Sequence, residues 1–179
     1  MALLAEKIVE EWLNRQGYFT IRGIKIGVQE IDLLAVRQNG DGRTDCRHVE
    51  VQASMRPVSY ICRVPKKAQK AGRPTNSATR SKDELIEGVG EWVEKKFRRP
   101  DKMALMQSLW KGDWSCELVA NVVKSEDELR LIEGYGIKIH RLYEIISSLA
   151  RDRFLIASAS GADIVDLIHI GAVSEMPLA

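Results

Sequence analysis

Residues 29–54, reading QEIDLLAVRQNGDGRTDCRHVEVQAS, constrain this chain more than any other stretch. They hold two alternating runs. Ile31, Leu33 and Ala35 point to one side of the first run, and Glu30, Asp32, Leu34 and Val36 to the other. In the second, Val49, Val51 and Ala53 oppose His48, Glu50 and Gln52. Period-2 alternation is the mark of strands with two unlike faces. Between the runs, Asn39-Gly40-Asp41-Gly42 predicts a hairpin turn, because these residue types tolerate positive φ. With the turn centred on Asp41, antiparallel pairing sets Asp32 opposite Glu50 and Glu30 opposite Gln52. Directly opposite residues bring their Cβ atoms to about 4.5–5.5 Å. Two carboxylates so placed repel unless something positive lies between them, and a hard divalent ion held by one or two carboxylates suits that place. The plainer reading is a solvated sheet face carrying scattered acids. A one-residue slip would send Asp32 and Glu50 to opposite faces.

Around this hairpin the pattern predicts helices and further strands. Residues 2–16 place Leu4, Ile8, Val9, Trp12 and Leu13 on one helical stripe, stopped by Gly17. Residues 18–27 read as a first strand. Ser81 and Glu84 form a capping box for a helix over 81–97 with Leu85, Ile86, Val89, Trp92, Val93 and Phe97 inward. Residues 103–114 read as core or as an apolar cover. Strands are expected over 116–123 and 137–141. Helices are expected over 125–133, 142–151 and 159–170. The order helix, three strands, helix, strand, helix, strand, helix implies an α/β fold with a central mixed sheet flanked by helices.

Charge is spread unevenly. The whole 179-residue chain carries a net charge of only +2, too mild to point to nucleic acid alone. Residues 53–82, however, contain no Asp or Glu. They hold Arg56, Arg63, Lys66, Lys67, Lys70, Arg73, Arg80 and Lys82, and Arg98 and Arg99 follow the next helix. A long basic excursion reads either as a solvated linker or as a phosphate-contacting surface, since Lys and Arg displace counterions from a nucleic-acid backbone. The absence of acids favours the second. Three cysteines without C-x-x-C spacing argue against a disulfide framework and fit a reducing, cytoplasmic setting. Cys46 and His48 lack two further zinc ligands. No run reaches the roughly 18 apolar residues of a membrane span. The chain divides as 1–153, with 53–82 as a basic insertion, followed by a helical appendage over 154–179.

A helix carrying Glu6, a strand with Ile31-Asp32, a turn, and a strand with Glu50-Val51-Gln52 resembles the PD-(D/E)XK nuclease superfamily. The likeness is nearest to archaeal Holliday-junction resolvases and Mrr-like enzymes. It covers about the first 55 residues, including Ala5-Glu6-Lys7-Ile8-Val9 through Gln16-Gly17-Tyr18. The resemblance implies a restriction-endonuclease-like three-layer fold. It also implies a Mg²⁺- or Mn²⁺-dependent DNA endonuclease. Asp32, Glu50, the Val51 carbonyl and Glu6 would then serve the metal. Gln52 stands where the family usually has Lys, and brings no charge. Lys25 and Lys66 are the candidate substitutes for that lysine.

Two rival readings remain. One is a nucleic-acid-binding module on the same fold that does not cut. The other is a structural subunit docking through residues 154–173. A homodimer is expected for the nuclease, because cutting both strands needs two sites.

Overall fold

The computed structural model describes residues 2–53, 59–151, 154–156 and 161–173. Among them the chain runs α1 (Ala2–Arg15), β1 (Phe19–Ile26), β2 (Gln29–Gln38), β3 (Thr44–Gln52), α2 (Lys66–Lys70), α3 (Lys82–Lys96), α4 (Pro100–Leu109), β4 (Trp114–Ala120), α5 (Glu126–Gly134), β5 (Lys138–Arg141), α6 (Leu142–Arg151) and α7 (Ala162–Val173). The five strands form one mixed sheet in sequence order. β1, β2 and β3 pair antiparallel, whereas β3–β4 and β4–β5 are parallel. Parallel neighbours need crossovers, which here carry α2, α3 and α4 between β3 and β4, and α5 between β4 and β5. The helices cover both faces, giving three layers.

Two of these helices, α2 and α4, extend the order expected from sequence. α2 is a five-residue helix inside the stretch read as irregular. α4 opens with Pro100 at its first turn and has no side-chain cap, so it lacks the Ser–Glu signal that marks α3. At α3 the box is formed: Glu84 N–H donates to Ser81 Oγ at 3.1 Å, and Ser81 N–H to Glu84 Oε2 at 2.9 Å.

One face of the sheet packs Leu33, Ala35, Val49, Val51 and Val119 against Ala5, Ile8, Val9 and Leu13 of α1 and Leu142, Ile145 and Leu149 of α6. Val165 of α7 is buried in this same core. The other face packs Leu118 and Ala120 against Leu85, Val89, Val93 and Phe97 from α3 and its C-cap, and Leu129 and Ile132 of α5. A third, smaller cluster joins Ile31 and Leu34 to Met106 of α4, so Ile31 packs with Leu34 and not, as its alternation predicts, with Leu33 and Ala35. Leu109, Met103 and Trp110 of the 103–114 stretch stay exposed.

The basic excursion is tied down where it is described. The fully buried Glu128 carboxylate accepts the Ile61 N–H at 2.8 Å and the Cys62 N–H at 2.7 Å. Val64 N–H donates to the Thr75 carbonyl at 3.0 Å. Gly88 lets the two segments close up, for a Cβ there would stand 2.8 Å from the Arg63 carbonyl oxygen. Among the described residues no helix is long and apolar enough to cross a membrane.

Candidate functional site

The hairpin has the register expected from its turn. β2 and β3 pair from Gln38↔Thr44 to Leu33↔Val49. The same register carried one residue further sets Asp32 across from Glu50. There the ladder ends, and Asp32 Oδ2 accepts the Val51 N–H at 2.8 Å. On its other side, Asp32 faces an interruption in the β1–β2 pairs between Arg22↔Leu33 and Ile24↔Ile31. Gly23 sits at this gap with φ +68°, a conformation that only glycine adopts at little cost. Asp32 is therefore set where both flanking ladders yield. Glu50 lies opposite Leu118 in the β3–β4 register, and Gln52 opposite Ala120. The acids sit toward the carboxyl ends of the parallel strands, where open α/β sheets bind ligands.

Glu50 is fully buried and has three partners. Its Oε1 accepts from His48 Nε2 at 3.1 Å and from Lys102 Nζ at 2.9 Å. Its Oε2 accepts from Lys96 Nζ at 2.5 Å. Burial alone would raise its pKa. The His48 hydrogen bond and the Lys96 and Lys102 charges outweigh burial and hold it at about 2. His48 is buried against Phe97, with ring centroids 4.9 Å apart. Burial lowers its pKa despite Glu50, so it is neutral and donates through Nε2–H. Its Nδ1 is buried with no partner.

Asp32 has the opposite fate. Burial, then the neighbouring Glu50 charge, push its pKa up to about 7, against the pull of Lys96 and the Val51 N–H. Glu6 is also raised, by burial and the charges of Glu30, Glu10 and Glu50, with Arg22 opposing. Arg22 lies 4.0 Å from Glu6 and 3.0 Å from Glu10. For Lys96 burial works downward, but Glu50, Asp32 and Glu30 together raise its pKa above the ordinary value. It is an ammonium at neutral pH.

Lys96 and Lys102 are the residues that sequence reasoning misses. Lys25 is exposed on β1, across the hairpin from Glu30. Lys66 is exposed on α2, its backbone N–H held by Glu91. Lys96 has a legible signal: counting from Leu85, Val89 and Val93, position 96 falls on the same inward stripe, so the helix turns a lysine toward the sheet. Lys102 has none, because hydropathy assigns lysine to the surface.

The residues fit a hard cation in part. Asp32, Glu50 and the Val51 carbonyl supply only oxygens, and Mg²⁺ is usually held by one or two carboxylates with waters and substrate phosphates completing its shell. The Asp32 pKa is raised by burial first and by the Glu50 charge second, with Lys96 opposing. Among the described residues, no three His, Cys, Asp or Glu side chains gather as a metal-binding group. Glu6 thus acts on the pair through its charge, without joining them in such a group.

The expected phosphate-contacting residues divide into two sets. Arg63, Lys66, Lys67, Lys70 and Lys82 are exposed. Arg73 is paired with Glu84 at 2.9 Å, and Arg80 lies over the Tyr60 ring and donates to the Cys62 carbonyl at 3.0 Å. Arg98 pairs with Glu94 at 3.3 Å, and Arg99 with Asp101 at 2.5 Å. Arg56 lies outside the described residues.

No protein-family model matches the chain, and no curated protein does. One solved structure that it resembles is a protein of unknown function, AF1548. The TM-score is 0.45 at 13% identity, over 93% of this chain and 76% of that one. A likeness at that level carries no argument about function.

Proposed function

We propose that this protein hydrolyses phosphodiester bonds in DNA with the help of Mg²⁺ or Mn²⁺, as the resemblance to the PD-(D/E)XK nucleases implies. One observation carries the reading: the Lys96 ammonium meets Glu50 on the acidic face and supplies the cation that Gln52 lacks. Asp32, Glu50 and the Val51 carbonyl would hold the ion. When bound, it would polarise the scissile phosphate and lower the pKa of a bound water. The chain's own residues do the rest. Lys96 offers charge and hydrogen bonds to the phosphate as negative charge develops there. Its raised pKa makes it an electrostatic stabiliser and not a base. Gln52 orients the attacking water. Glu6 adds negative charge beside the pair. His48 and Lys102 hold Glu50 in place. A homodimer and a cytoplasmic setting belong to the same proposal.

The test is a cleavage assay on branched, duplex and single-stranded DNA with Mg²⁺ or Mn²⁺. Asp32→Asn and Lys96→Met should each lower turnover by about a hundredfold or more, the scale of losing a preorganised charge at a reacting centre. Undiminished Mg²⁺-dependent cutting by Asp32→Asn would refute the site. A second reading, DNA binding without turnover, is favoured by the saturation of Glu50, whose two oxygens already accept from His48, Lys102 and Lys96. It predicts no cutting by the wild type under any of these conditions.

Both readings use the exposed lysines of the basic segment. Replacing Lys66, Lys67 and Lys70 together by Ala should weaken DNA binding. It should also flatten the slope of log affinity against log salt, by about 0.9 for each duplex phosphate that is no longer neutralised. Unchanged affinity and slope in a fluorescence-anisotropy titration would remove α2 from the interface.

A further inference from the structure

The two lysines on Glu50 are not equivalent. Lys102 is closed in, with a side chain only 1% exposed. Its ammonium donates to Glu50 Oε1 and to the Lys96 carbonyl, both at 2.9 Å, so it fastens the end of α3 as well as the acid. His48 Nε2 takes the same oxygen. Oε1 is thus committed to two buried donors. Lys96 holds the other oxygen, Oε2, and its side chain keeps 23% exposure. It is the last residue of α3, and its long flexible stem lets the ammonium move toward solvent while the core stays closed. Its charge is felt by Asp32 and Glu30 as well as by Glu50.

We propose that Lys96 is a placeholder cation: its ammonium occupies Glu50 Oε2 until a divalent ion displaces it, and a phosphodiester draws it away by offering a second anion. This rests on the reading of Asp32 and Glu50 as an ion site. Two cations competing for one carboxylate oxygen bind antagonistically. A phosphodiester that engages the released ammonium relieves the competition. Ion and DNA then bind with positive coupling, and by linkage each tightens the other by the same factor. An empty site keeps its charge neutralised, and the ion is taken up together with the substrate. Lys102 makes the exchange tolerable to the fold, because Glu50 keeps one buried counterion throughout.

The experiment is calorimetric titration of Mn²⁺ into wild type, Lys96→Met and Asp32→Asn, alone and with a cleavage-resistant phosphorothioate duplex. Asp32→Asn with duplex accounts for Mn²⁺ held by the DNA itself. Without DNA, Lys96→Met is expected to bind Mn²⁺ roughly ten- to a hundredfold more tightly than wild type, the scale of removing a like charge beside a carboxylate site. The duplex should tighten Mn²⁺ binding to wild type by a clearly larger factor than to Lys96→Met, in which only the ion's own contact with a phosphate couples the two; equal factors would overturn the placeholder. Equal affinities for wild type and Lys96→Met, with binding lost in Asp32→Asn, would overturn the placeholder and leave the ion site standing. No binding by any protein, with or without duplex, would overturn both. Should Lys96→Met fold poorly, Lys96→Gln serves in its place. The wild-type comparison with and without duplex needs no mutation, and absence of coupling there overturns the proposal by itself.

Discussion

Replacing Glu50 by Gln is expected to destabilise the fold by about 3–5 kcal/mol, the usual result of removing one partner from a buried ion pair. The reason lies in what is left behind. Lys102 has a 1% exposed side chain and donates to Glu50 Oε1. A carboxamide oxygen can still accept one hydrogen bond but neutralises nothing. Its NH₂ would meet the donor of Lys96 or those of His48 and Lys102. The ammonium must then lose its proton or pull water into the core. Glu50→Gln/Lys102→Met removes the orphaned charge, and its urea midpoint should lie above that of Glu50→Gln. A midpoint for Glu50→Gln equal to the wild type would show that Lys102 is not held in place by this charge. The pH dependence has the matching sign. Glu50 titrates at about 2 in the fold, below the ordinary value of 4.5. Its stabilisation is complete above that ordinary value and is lost as pH falls toward 2. A variant this unstable is a poor probe of catalysis, which is why Asp32→Asn and Lys96→Met carry the cleavage test.

The sheet is more legible in the sequence than the helices packed on it. Asn39-Gly40-Asp41-Gly42 sets the β2–β3 register, because a turn of fixed length and alternating side-chain directions leave one alignment that puts Leu33, Ala35, Val49 and Val51 together on the α1 face, although both faces of these strands are buried. Ser81 and Glu84 mark α3 because capping is chemistry local to four residues. α4 is hidden because its inward residues are Lys102 and Met106, while Met103 and Leu109 face out. Its fold-forming contact is a charge pair with a residue fifty-two positions away, and no local pattern encodes that. Glu128 is similar: fully buried, it holds backbone N–H groups sixty-six and sixty-seven positions earlier. The acidic pair is readable because both members lie on one hairpin. Of its counterions, Lys96 is readable from the inward stripe of α3, whereas Lys102 arrives from α4 with no local signal.

Asp32→Asn should make the fold more stable than the wild type at pH 8 and leave it equal at pH 4. The folded protein holds the Asp32 proton up to about pH 7, whereas an unperturbed Asp releases it near 3.8. Between those values the folded state binds more protons than the unfolded one, so stability falls as pH rises through the window. A pKa that differs by one between the folded and unfolded chain is worth about 1.4 kcal/mol. Asp32 is only partly buried, so solvent screening reduces the effect, and a gain of about 1–3 kcal/mol for the Asn variant at pH 8 is expected. Asn keeps an oxygen to accept the Val51 N–H, so the local backbone survives. Urea midpoints measured from pH 4 to 8 check this. A flat wild-type profile, or an Asn variant no more stable at pH 8, would mean that Asp32 is better solvated than its position implies. The two acids therefore separate by role. Glu50 stabilises the fold through Lys102 and His48, and an apolar set of the same shape could replace all three. The Asp32 charge works against the fold at neutral pH, and its backbone partner, the Val51 N–H, is one that an Asn oxygen also accepts. A carboxyl whose charge lowers stability, set beside the Lys96 ammonium, is a candidate functional group on physical grounds.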